Sequence, residues 1–138
     1  MRAQLEAITQ VLAQEMETAG TLVLDGLKMS KNSSNPSPYA GLCHADVEKL
    51  ARLVKEEIPQ ARVDRVGFTT VNKDAWKRSR HIVALVTTLE GLYTVDPTIR
   101  QYIPGAEMVY SEGEHYPIEY YPSSIKKTTI YDGLTGLR

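Results

Sequence analysis

The sequence predicts an α+β fold in which N-terminal helices pack on a central antiparallel β-sheet. Two early segments repeat apolar residues every three to four positions, as a helix with one buried face requires. The middle of the chain changes to strand-like runs rich in β-branched residues. Two of those runs are joined by a connection so tight that only antiparallel pairing accommodates it.

Taken in order, Leu5, Ile8, Leu12 and Met16 recur at helical spacing with Gln4, Glu6, Gln14 and Glu17 elsewhere around the cylinder. A helix over 3–19, stopped by Gly20, follows. Thr21 to Leu24 reads as a short strand or buried extended piece, and KMSKNSSNPSPYAG as a polar loop of turn formers. From Cys43 onward, Val47, Leu50, Ala51, Val54 and Ile58 give a second helical repeat, which Pro59 ends by removing an amide donor. Cys43 falls one turn before Val47, on the buried side of the first turn. ARVDRVGFTTV then reads as a strand, VNKDAWKRSR as a charged loop, and RHIVALVTT with GLYTVD as a hairpin. Beyond Asp96 the many Tyr, Pro and Gly residues predict short strands and turns and a loosely held tail.

The 138 residues, 42% hydrophobic and 24% charged, have the length and balance of one globular domain with one core. Residues 1-138 are read as a single domain, a reading equally compatible with a segment of a longer protein. A formal net charge of -1, with basic residues scattered apart from Lys77-Arg78 and Lys126-Lys127, argues against nucleic acid and anionic membranes as partners. A single cysteine excludes an internal disulfide and a zinc site of several thiolates. His115 stands among Glu112, Glu114 and Glu119 without helical or hairpin spacing, so a solvated turn explains it better than a metal site. No metal and no cofactor is expected. The amphipathic, acid-containing N-terminus lacks the apolar run of a secretory signal, and no stretch is long enough to cross a bilayer. The expected location is the cytoplasm of the cell that makes the chain, or a target cell reached by a dedicated delivery machine.

Chemistry concentrates on three residues. Cys43 opens a helix, where unpaired amides and the positive end of the dipole favour a thiolate and offer donors to an oxyanion. In the preceding loop, Gly41 permits close substrate approach and Asn35 carries an amide suited to the same oxyanion. His81 and Asp96 lie on the two strands of the predicted hairpin, and their odd separation of 15 allows a directly opposed pair around an even-length loop. A loop at Thr88-Leu89, or from Thr87 to Glu90, aligns them. A thiol nucleophile, an imidazole base and a carboxylate that fixes the imidazole tautomer are what acyl transfer through a thioester requires. His44 is the competing base, but helix neighbours point about 100° apart, which places it behind His81. Trp76 is a candidate substrate contact, although a loop anchor in the core explains it somewhat better. Tyr116, Tyr120 and Tyr121 read as sheet-face packing.

With GLCHADVEKLARLV supplying a helix opened by Cys, and HIVALVTTLEGLYTVDPTIRQY a His-strand, turn and Asp-strand, residues 41 to 102 resemble the papain-like and transglutaminase-like superfamily of cysteine enzymes. The VDPT-IRQY ending is similar to compact papain-fold toxin and glutamine-deamidase domains of bacteria. The resemblance implies a papain-like core, with Cys43 as nucleophile, His81 as general base and acid, and Asp96 as orienter. It departs from the family where Ile82 replaces the Trp often found beside the His, and where Ser37 replaces the papain-type Gln six positions before the Cys. A peptidase of the papain type proper is therefore disfavoured. The expected activity is deamidation or transamidation of a glutamine side chain in a protein or peptide substrate. A small cysteine peptidase, an amide-forming enzyme of peptide biosynthesis and a non-catalytic binding domain are the alternatives.

Overall fold

A computed structural model describes residues 1–27, 43–71, 80–101 and 103–135, and of 17, 19–27, 43–45 and 101 the backbone alone. Helix α1 spans Arg2–Leu27 and α2 spans Cys43–Glu57. Strands β1 (Ala61–Thr69), β2 (Arg80–Thr88), β3 (Gly91–Val95), β4 (Val109–Ser111) and β5 (Lys126–Asp132) form one antiparallel sheet in the order β4-β3-β2-β1-β5. The α+β architecture predicted from the periodicities is the one found.

The helical stripes bury as their spacing requires. Leu5, Ile8, Leu12 and Met16 of α1 and Val47, Leu50, Ala51 and Val54 of α2 lie in a single core with one face of the sheet. Register defines that face: Val63 stands opposite Val86, Ala84 opposite Val95, and Val95 opposite Val109. Each fully buried Val or Leu side chain contributes about 1.5–3 kcal/mol in transfer from water. Polar contacts at the rim fix the helices over the same face. Glu48 of α2 pairs with Arg65 at 2.9 Å, and the Lys55 ammonium lies 5.7 Å from the Tyr131 ring centre. From α1, the Arg2 guanidinium reaches the Ser111 hydroxyl and the Val109 carbonyl, both at 3.0 Å.

Three expectations are corrected. Gly20 does not stop α1, and 21–24 is helix rather than strand. Glycine lowers helix stability by about 1 kcal/mol but, unlike proline, blocks neither the dihedrals nor the hydrogen bonds. The tail is not loose through Thr135, because β5 pairs with β1 from Gly67↔Lys126 to Arg62↔Asp132, and Gly133 N–H bonds the Ala61 carbonyl at 2.7 Å. A side chain at Gly133 would run into the Pro59 carbonyl, so the closing bond needs glycine there. Finally, the β2–β3 turn is Leu89-Glu90, closed by the pair Thr88↔Gly91, and not either loop aligned with an opposed His81 and Asp96. The Thr88 hydroxyl accepts from the Glu90 and Gly91 amides, both at 3.1 Å, and donates to the Gly91 carbonyl at 3.0 Å. Those bonds place the turn without the Asn-Gly or Asp-Gly signature that marks such turns in sequence.

Among the described residues, no helix is long and apolar enough to cross a membrane.

Candidate active site

His81 is the second residue of β2, and Asp96 directly follows β3. The observed register, Ala84↔Val95, puts Val83 rather than His81 across from Asp96. That is a slip of two residues from the expected alignment, and side chains in strands alternate with period two. His81 and Asp96 therefore still share a face, as diagonal neighbours within reach of long side chains. His81 Nε2 lies 2.8 Å from Asp96 Oδ2, and both side chains are 0% exposed. Because an ionised carboxylate only accepts, this bond sets Nε2 as the protonated nitrogen of a neutral ring.

The carboxylate is held from every side. Tyr116 donates its hydroxyl to the same Oδ2, and the Thr98 amide donates to Oδ1 at 3.3 Å. The Thr98 hydroxyl approaches Oδ1 at 3.5 Å. The Asp96-Pro97-Thr98 sequence places an Asx-type turn where β3 ends, and the turn aims the carboxylate back at β2. The Asp96 amide meanwhile bonds the Met108 carbonyl at 2.8 Å, tying the turn to the β4 side. Phe68, opposite His81 on β1, packs edge-on against the imidazole with ring centres 5.7 Å apart.

The pair does not lie on the helix-covered face. His81 shares its side with Phe68, and the strand alternation puts both opposite in direction to Val63, Ala84 and Val86. Tyr110, paired with Thr94, points the same way as the His81–Asp96 bond, and its ring packs perpendicular to that of Tyr116. Helix α2 approaches from the other side. It joins β1 through a short link and runs back along it, so Lys55 meets Tyr131 beside Val63 while Glu48 meets Arg65 further on. The α2 N-terminus, where Cys43 stands, is therefore directed toward the end of the sheet at which β1 finishes and β2 begins.

The remaining candidates separate cleanly. Asn35, Gly41 and Trp76 lie outside the described residues, as do the side chains of Cys43 and His44. His115 is exposed, and no group of three metal-ligating side chains occurs among the described residues. Tyr116 is the residue that sequence reasoning missed. Its position in a Tyr- and Pro-rich stretch carried a packing signal and nothing that pointed to Asp96.

One more buried carboxylate belongs to this end of the molecule. Asp46, in the first turn of α2, is 2% exposed, and its Oδ2 has no hydrogen-bond partner among the described residues. Burial pushes its carboxyl up to about 6, against the opposing pull of Lys49. A folded-state value above the unfolded one means that the native protein binds more protons between about pH 4 and 6. Stability contributed by the neutral acid is thus lost as pH rises through that window. Asp46→Asn is expected to be more stable than wild type at pH 7.5, by on the order of 2 kcal/mol, and equal to it below pH 4. Urea unfolding at the two pH values checks this, and a pH-independent difference refutes it.

Compared with protein-family models, with curated protein sequences and with solved structures, the chain gives no match.

Proposed function

We propose that the chain is a thiol acyltransferase that attacks an amide, with Cys43 as nucleophile, His81 as base and acid, and Asp96 as orienter, on a papain-like or transglutaminase-like core. The observation that carries this reading is the His81–Asp96 hydrogen bond of 2.8 Å, sealed from solvent and reinforced on the carboxylate by Tyr116 and Thr98. An imidazole fixed by a carboxylate at Nε2 presents Nδ1 to a thiol. The start of α2 supplies amides for the oxyanion.

In the reaction, the Cys43 proton passes to His81 Nδ1 and the thiolate adds to the amide carbonyl. The C–N bond then breaks as the imidazolium returns the proton to the departing amine, leaving a thioester. Water resolves the thioester to an acid, and an amine resolves it to a new amide. The preferred substrate is a glutamine side chain of a protein or peptide, since the small domain leaves little room for recognising a complex small molecule. The test is mass spectrometry of candidate proteins incubated with wild type and with Cys43→Ala. Deamidation, cleavage and conjugation leave different mass changes, each expected with wild type and absent with the variant.

The opposed faces favour one competing reading, in which the His81–Asp96–Tyr116 cluster is a structural polar core under the second face of the sheet and the domain binds without catalysing. On that reading no mass change depends on Cys43.

A further inference from the structure

The Asp96 carboxylate divides its two oxygens between different donors. Oδ1 faces Thr98, its neighbour in the turn, whereas Oδ2 receives both His81 Nε2 and the Tyr116 hydroxyl. Tyr116 comes from the irregular segment between β4 and β5, which is also docked on the end of β1. The Val71 amide bonds the Glu119 carbonyl at 2.9 Å, and the Tyr121 amide bonds the Thr69 carbonyl at 3.0 Å. The Tyr116 ring is set by two edge-on neighbours, Phe68 at 6.2 Å and Tyr110 at 5.5 Å between ring centres. Phe68 is itself the residue against which His81 packs. The ring that orients the tyrosine thus also orients the imidazole.

We infer that Tyr116 is a positioning residue of this site, whose hydroxyl shares the charge of Asp96 Oδ2 with His81 and so sets how strongly the carboxylate holds the imidazolium. The inference rests on the reading of His81 as the catalytic base. Two donors on one oxygen divide its negative charge, so the imidazole feels a weaker partner than it would with Asp96 alone. A weaker partner keeps the ring neutral at a lower pH and able to accept the thiol proton. The carboxylate still holds the Nε2–H tautomer.

The experiment follows the ¹⁵N signals of the His81 ring against pH in the full chain. Tyr116→Phe removes the hydroxyl and preserves the ring, and is expected to raise the His81 titration midpoint by about half a unit or more while keeping the Nε2–H tautomer. Site-specific replacement of Tyr116 by 3-fluorotyrosine, a stronger donor of nearly the same shape, is expected to lower the midpoint, and tests the inference even if the phenylalanine variant does not fold. Tyr120→Phe is the control, because that ring also packs on Phe68, at 4.8 Å. Its midpoint is expected to match wild type. A midpoint unmoved by either change at Tyr116 overturns the inference, since packing alone leaves the titration where it was. Alkylation of Cys43 in the same variants separates the two levels. A moved midpoint with an alkylation profile indifferent to it keeps the tyrosine's hold on Asp96 and overturns the acyl-transfer reading. An unmoved midpoint overturns the role of Tyr116 whatever the alkylation profile does.

Discussion

Asp96→Ala is expected to destabilise the fold by about 3–5 kcal/mol, because it removes one buried ionised acceptor that three donors share. The cost comes from the donors left behind. His81 Nε2, the Tyr116 hydroxyl and the Thr98 amide all lose their common acceptor, and His81 is 0% exposed, so water does not readily replace it. Each hydrogen bond lost to a charged acceptor costs about 1.5–3 kcal/mol, and the costs are less than additive because the three bonds share one carboxylate. The backbone bond from Asp96 to Met108 survives, which keeps the β3–β4 edge paired and confines the damage to the second face. Asp96→Asn, with a carbonyl oxygen still able to accept, is expected to lose less than half as much. Urea unfolding of the three proteins measures both. A loss below about 1 kcal/mol for Asp96→Ala would show that the cluster opens to water and holds nothing in place.

The parts of this arrangement that could be read from sequence are those set by period alone. The α2 stripe of Val47, Leu50, Ala51 and Val54 buries as its spacing demands. The shared face of His81 and Asp96 also survived an incorrect register, because parity depends on an even slip and not on which residues stand opposite. What escaped depends on tertiary partners. The Leu89-Glu90 turn is placed by the Thr88 hydroxyl, a choice no turn propensity announces. Gly20 yields to continued helix, and β5 exists because the open edge of β1 accepts it, with a register shift between Val63 and Asp64. Tyr116 reaches Asp96 across 20 residues of irregular chain, where periodicity has nothing to say. Which face of the sheet α2 covers was equally invisible, since it depends on where the helix packs.

The proposed pairing of Cys43 with His81 is tested by how the thiol reacts. An unperturbed thiol titrates near pH 8.5 and is only about 0.3% ionised at pH 6, whereas one paired with an imidazolium is mostly thiolate there. Wild type is therefore expected to alkylate with iodoacetamide at a nearly constant rate down to about pH 6. His81→Gln, which keeps a polar side chain of similar size, is expected to slow the reaction at pH 6 by roughly a hundredfold, with the gap closing above pH 9. The helix N-terminus acts on the thiol in both proteins, so its contribution cancels in the comparison and the difference reports the imidazole alone. Asp96→Asn should fall between the two, because a weakened orienter leaves the ring in place but less able to hold the proton. Coincident profiles for wild type and His81→Gln would mean that the thiol does not pass the ends of β1 and β2. The buried His81–Asp96–Tyr116 set would then serve to close the second face of the sheet, where Phe68 and Tyr110 complete its packing.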